Sequence, residues 1–210
     1  MNNYKTQQED FWAGEFGDEY ISRNSGDKQL AMKMMQWSTY LRTLKITDKL
    51  TSCIEFGPNI GLNLKVIGTL IPGIEMRGVE INSKAVAECQ KIPNVEVIQG
   101  SILDYVPDKK FDLAFTSGVL IHIAPEELDN VYRKLYESSN KFVFMVEYYN
   151  PTPVEIEYRG NTGKLFKRDF AGEFMDMYPE FKLLNYGFIY HRDTICPEDD
   201  ANWFMMVKDK

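Results

Sequence analysis

The sequence predicts an α/β fold: a doubly wound, mostly parallel sheet of seven strands, with a C-terminal antiparallel hairpin and an N-terminal helical cap. Three observations carry this. From residue 51 onward, short apolar runs alternate with helical segments, the pattern of right-handed βαβ units. The first strand runs into a loop with glycines at 57 and 61 and then into a helix, as the ligand-binding turn of open α/β sheets does. The last two strand-like runs have no helix between them, so they pair as a hairpin at the sheet edge.

The elements follow in order. Phe11, Trp12, Phe16 and Tyr20 recur at helical spacings near the N-terminus, either as a helix sealing the sheet or as a lid. Residues 28–46 read as a helix whose apolar face is Leu30, Met34, Trp37, Leu41 and Leu44. TSCIEF (51–56) is a buried strand, 60–71 a helix, IEMRGVE (74–80) a strand and Ser83–Lys91 a helix. VEVIQG (95–100) and FDLAFT (111–116) are strands, and Pro125–Ser138 is a helix with proline in its first turn. KFVFMVEYY (141–149) is a strand, and KLLNYGFIYHRD and NWFMMVK form the terminal hairpin. The chain reads as one domain, with residues 1–46 as the cap and 47–210 as the core.

Composition narrows the function. A chain of 210 residues is long enough to bury a core without disulfides or metals. With 44% hydrophobic and 26% charged residues it is globular. Its net charge of −7 argues against tight binding to nucleic acid, which depends on Lys and Arg displacing counterions. No apolar run is long enough to span a membrane, and the polar N-terminus does not read as a signal peptide. Cys53, Cys89 and Cys196 are odd in number and widely spaced, as expected of free thiols in a reducing cytoplasm. With two histidines and no metal-ligand spacing, no metal site is expected.

The sharpest signal is IEFGPNIGLN at 54–63. Gly57 allows close backbone approach to a ligand, and Gly61 lets the following helix pack tightly. Asn59 lies between them, and Glu55 precedes the first glycine by two residues. An acid here repels pyrophosphate and suits an amine or sulfonium, which favours S-adenosylmethionine over NAD. Glu80, with Ile81 after it, ends the second strand, where an acid commonly accepts both hydroxyls of a ribose. Ser101 and Ile102 after the third strand lie where an adenine would rest. Ser117 and Val119 after the fourth would wall the methionine end.

These motifs resemble class I S-adenosylmethionine-dependent methyltransferases of Rossmann-like fold. More narrowly, FWAGEFGDEYISRN (11–24), IEFGPNIGLN (54–63), FTSGVLIHIAPEEL (115–128), EYYNP (147–151) and LFKRDFAGEFMD (165–176) resemble the methyltransferases associated with pseudaminic acid biosynthesis. The resemblance implies a small-molecule acceptor, an amino sugar or a sugar-nucleotide intermediate of surface-glycan synthesis, methylated on nitrogen or oxygen. Asn59 departs from the glycine, and Ser101 from the aspartate, that many relatives carry.

A hydroxyl acceptor needs a base, whereas a neutral amine needs little help. His122, Glu147 and Tyr148 follow the fourth and fifth strands and are the candidate catalytic residues. Tyr149, Asn150, Arg159, Lys167 and Arg168 are candidates to bind an anionic substrate, and Tyr20 and Arg23 to meet the methionine carboxylate. His191 and Arg192, near the terminal turn, read as structural. Competing readings are methylation of RNA or protein, or a cofactor-binding pathway protein without turnover. Against the first, Thr116-Ser117-Gly118-Val119 lacks the Pro-Pro-aromatic run of amine-methylating nucleic-acid enzymes. The chain is expected to be a monomer or homodimer.

Overall fold

The computed structural model describes residues 4–23, 26–44 and 49–209, with Arg23 described by its backbone alone. The chain divides into two compact units, one up to Val106 and one from Pro107 onward.

The first unit opens with α1 (Gln7–Ala13) and α2 (Glu15–Arg23). Thr6 and Glu9 start α1 as a capping box: the Thr6 hydroxyl accepts the Glu9 N–H, and the Glu9 carboxylate accepts the Thr6 N–H. Phe11 stacks on Phe16 at 4.0 Å, and Trp12 meets Tyr20 edge-on at 5.2 Å, which fastens the two helices together. α3 (Asp27–Leu41) follows. Its buried side chains are Met32, Gln36, Trp37 and Tyr40, so the expected stripe through Leu30, Met34, Leu41 and Leu44 is corrected to a rotated one that shares only Trp37. On that rotated face the Trp37 indole donates to Asn63 at 2.9 Å. Residues 45 and 46, the expected end of the helix, lie outside the described residues.

Then come β1 (Ser52–Phe56), α4 (Leu62–Leu70), β2 (Glu75–Glu80), α5 (Ser83–Cys89) and β3 (Val95–Gln99). β1 pairs in parallel with β2, with Glu55 opposite Gly78, and β2 pairs in parallel with β3, with Glu80 opposite Gln99. This register brings the C-terminal ends of the three strands to one edge.

The second unit contains β4 (Phe111–Ser117), α6 (Leu128–Ser138), β5 (Ser139–Glu147), β6 (Val154–Tyr158), β7 (Asn161–Lys167), α7 (Phe170–Met177), β8 (Phe181–Ile189) and β9 (Ala201–Lys208). Pro125–Glu127 is a separate 3-10 turn before α6, not its first turn as the sequence suggested. α6 buries Leu128, Val131, Tyr132 and Leu135, an i, i+3, i+4, i+7 stripe. β4 and β5 are parallel, and β9 runs antiparallel to both β5 and β8. The main sheet has seven strands in the order β3-β2-β1-β4-β5-β9-β8.

The sequence reading missed the β6–β7 hairpin. Its two-residue turn is Arg159-Gly160, both with positive φ (51° and 79°), as a type I′ turn requires.

Candidate functional site

The loop after β1 is built from left-handed residues. Gly57, Asn59 and Gly61 have φ of 71°, 52° and 80°. Asparagine tolerates this region better than most side chains, so Asn59 replaces a glycine without breaking the turn. Gly61 has a second constraint: a Cβ there would lie 2.6 Å from the Cys89 sulfur and from Ile92 Cδ1.

Two carboxylates lie under this loop. Glu55 on β1 is buried, and its Oε1 accepts the Asn63 amide at 2.6 Å. Asn63 in turn holds Trp37, so a chain of hydrogen bonds runs from α3 to the acid. Burial pushes Glu55 up to about 8, against the opposing pull of the Asn63 amide and the Lys33 charge. Glu80 is also buried. Its Oε2 accepts the Asn59 N–H and its Oε1 the Asn82 N–H, both at 2.8 Å. Burial raises its pKa, while the N–H groups of Asn82, Asn59 and Ile81 oppose the rise. Among the described residues, Glu55 Oε2 and Asn59 Oδ1 are buried without a hydrogen-bond partner. Asn59 Oδ1 is an acceptor, and Glu55 Oε2 becomes one when the acid ionises.

The N-terminal helices close on the same edge. Glu9 is buried and bonds the Ser101 hydroxyl, which also accepts the Leu103 N–H at 3.0 Å. The Asn82 amide donates to the Trp12 carbonyl and to Asp18, and Lys84 pairs with Asp18 at 2.6 Å. Asn82 also caps α5 through the N–H groups of Lys84 and Ala85. Ile81 and Ile102 are half-buried. Tyr20 packs on Trp12, and the Arg23 side chain lies outside the described residues.

A second cluster belongs to the second unit. Glu147, at the end of β5, is buried, and its two oxygens accept the N–H groups of Val119 (3.2 Å) and Ile121 (3.3 Å). Burial pushes it up to about 7, opposed by the Thr116 hydroxyl and by the N–H groups of residues 119–121. It therefore shapes the turn that carries His122. The His122 ring lies 5.0 Å from Tyr158, and its Nδ1 is 2.6 Å from the Lys164 carbonyl. A carbonyl only accepts, so Nδ1 carries the proton and Nε2 keeps a lone pair. Burial lowers the His122 pKa to about 4, so the ring is neutral at pH 7. Ser117 and Val119, on the same loop, are half-buried.

Of the expected substrate residues, Tyr149 and Asn150 meet Arg168 through the backbone, with Lys167 next to it, while Arg159 stands apart. The Tyr148 hydroxyl donates to Asp199 at 2.6 Å, and the Lys167 ammonium lies over its ring. Tyr149 is partly exposed and packs on Phe204. The Asn150 side chain donates to the Thr152 carbonyl. Arg168 is paired with Glu173, which also accepts the Tyr132 hydroxyl. Arg159 lies exposed at the hairpin tip. His191 bonds Asp200 across the base of the β8–β9 loop.

The sequence reading did not single out Glu9, Asn63 or Asn82. Asn82 had a signal, as an N-cap residue between a strand and a helix. Thr6-x-x-Glu9 had one for a helix start, though not for a contact with Ser101. Cys53 and Cys89 are buried free thiols, and burial pushes Cys89 up to about 12, so neither is poised as a nucleophile. Among the described residues, no cluster of His, Cys, Asp and Glu could hold a metal, and no helix is long and apolar enough to cross a membrane.

No family model matches the chain, and no curated protein matches it. Solved structures do. Magnesium protoporphyrin IX methyltransferase from Synechocystis PCC 6803, with bound S-adenosylmethionine, superposes over 100% of both chains with a TM-score of 0.70 at 13% identity. The fold is the Rossmann-like fold of class I methyltransferases. The 1,6-didemethyltoxoflavin-N1-methyltransferase of Burkholderia thailandensis, bound to its namesake molecule and S-adenosylhomocysteine, matches 97% of this chain and 87% of its own, with a TM-score of 0.69 at 10% identity. The plantazolicin methyltransferase, in complex with S-adenosylhomocysteine, covers 97% of this chain and 94% of its own, with a TM-score of 0.66 at 12% identity.

Proposed function

We propose that the chain is an S-adenosylmethionine-dependent methyltransferase acting on a small molecule. One observation carries the cofactor: two buried atoms at the strand-end loop lack partners, Asn59 Oδ1, which is an acceptor, and Glu55 Oε2, which becomes one when a positive charge ionises the acid. A ligand there must bring donors or positive charge. The ammonium and ribose hydroxyls of S-adenosylmethionine are donors, whereas an ionised pyrophosphate has none.

Glu55 would face the ammonium. The Glu80 oxygens accept the N–H groups of Asn59 and Asn82 and retain capacity for a ribose hydroxyl. Gly57, Asn59 and Gly61 shape the loop, and Ile81, Ser101 and Ile102 would flank the nucleoside. S-adenosylmethionine, when bound, supplies an electrophilic methyl group on a sulfonium. The residues of this chain hold it, orient the acceptor and exclude water, so proximity supplies much of the rate. Residues 1–46 act as a cap over the core of 47–210, and the Glu9–Ser101 and Asn82–Asp18 contacts support that reading.

We assign His122 the proton from a hydroxyl or ammonium acceptor, because its Nε2 keeps a lone pair. Glu147 positions the turn. Ser117, Val119, Tyr148 and Tyr149 would line the acceptor side. The amino-sugar or sugar-nucleotide acceptor rests on the motif resemblance to the pseudaminic acid methyltransferases.

The test is to incubate the chain with methyl-labelled S-adenosylmethionine and a size-fractionated extract of the source cells. Label in the small-molecule fraction supports the reading, and mass analysis then identifies the acceptor. Label in RNA or protein overturns the substrate class. Cofactor binding with no label in any fraction counts against turnover.

A further inference from the structure

β8 is an outer strand of the seven-stranded sheet, paired on one side with β9. Outer strands expose unpaired N–H and C=O groups and are usually protected by charge or proline. Here residues 183–190, LLNYGFIY, contain neither. Leu183 (44%), Tyr186 (63%), Phe188 (57%) and Tyr190 (44%) are exposed, and so is Leu184. Phe188 packs on Tyr190 at 5.8 Å, and Tyr186 lies nearly parallel to Phe204 across the strand pair. Leu183 and Tyr186, with Tyr149 and Phe204, also line a groove of about 330 Å³.

We propose that β8 joins two copies of this chain, antiparallel and edge to edge, into one continuous sheet. A second copy fits for three reasons. A two-fold axis brings the same edge to both sides, so each outward N–H and C=O meets its counterpart. The uncharged segment meets itself without repulsion, and the antiparallel sense keeps the two copies of Lys182 at opposite ends. Aromatic side chains offer roughly 150–250 Å² each, so the five exposed side chains present on the order of 500 Å² per copy. The doubled area, about 1,000 Å², reaches the size of a specific interface before flanking residues are added. The bulge between Leu183 and Asn185 bends the start of the strand, so backbone pairing is confined to Asn185–Ile189, and Leu183, Leu184 and Tyr190 add side-chain contact only.

Sedimentation equilibrium on the full chain tests this. The expected mass is twice that of one chain. The doubly substituted Tyr186→Lys, Phe188→Lys chain should fall to the single-chain mass with an unchanged far-ultraviolet dichroism spectrum, while Tyr186→Phe stays paired. A wild-type mass of one chain at every concentration would overturn the proposal. So would a dimer that survives the double substitution.

Discussion

The Glu80 carboxylate accepts the backbone N–H of Asn59 at 2.8 Å, so the acid ending the second strand fastens the left-handed turn that follows the first. The same group thus shapes the loop and offers itself to a ribose. Hydrogen bonds to a charged group contribute about 1.5–3 kcal/mol each. Glu80→Ala should therefore weaken S-adenosylmethionine binding on the order of 100-fold by calorimetry while the chain stays folded. Unchanged affinity would remove Glu80 from the cofactor site.

Glu55 gives the chain an unusual pH dependence. Its folded pKa of about 8 lies above its ordinary value of 4.5, so the folded state holds a proton that the unfolded state releases. That contribution is complete below about 4.5 and is lost as pH rises through about 8. Glu147, at about 7, acts in the same sense. His122, lowered to about 4, acts oppositely, but only below its ordinary 6.5. Thermal stability should fall as pH rises from 6.5 to 8, and Glu55→Gln should flatten the fall. Parallel curves for the two proteins would contradict the assignment.

Glu147 and His122 have separable roles. Glu147→Ala leaves the N–H groups of Val119 and Ile121 without their acceptor, which costs about 1–3 kcal/mol in denaturant unfolding. Glu147→Gln keeps one acceptor oxygen but turns an NH2 toward the other N–H, so it should recover only part of that loss. His122→Ala should instead cut kcat by roughly 10²–10⁴ for a hydroxyl acceptor. A His122→Ala chain with wild-type kcat would assign the proton elsewhere.

Gly61 is fixed by both its backbone and its neighbours. Gly61→Ala places a methyl group 2.6 Å from Cys89 and Ile92 at a φ of 80°. The expected cost is about 1–3 kcal/mol, read from the urea midpoint. A midpoint equal to wild type would show that α4 and α5 separate freely.

The sheet was legible because parallel strands buried on both faces spell apolar runs, as FVFMV and, after Asp112, LAF do. The β1 loop was legible because its left-handed positions fall on two glycines and an asparagine. The β6–β7 hairpin was not, because Glu155, Glu157, Lys164 and Lys167 make it resemble a solvated stretch, although Leu165 is buried. Its Arg159-Gly160 turn was the available clue. Glu9 and Asn63 depend on partners 92 and 26 residues away, Ser101 and Trp37, and no local pattern encodes such pairings. Arg168 read as a free cation because Glu173, its ion partner, lies on the turn of α7 that the sequence reading did not assign.

Calorimetric titration of the full chain with S-adenosylmethionine at pH 7, in two buffers of different ionisation enthalpy, reads cofactor binding and its proton balance together. Saturable binding at one site per chain is expected, with proton release as the cofactor's positive charge ionises Glu55, and no such release in Glu55→Gln. A folded chain that shows no saturable binding, or that binds NAD instead, would contradict the S-adenosylmethionine assignment.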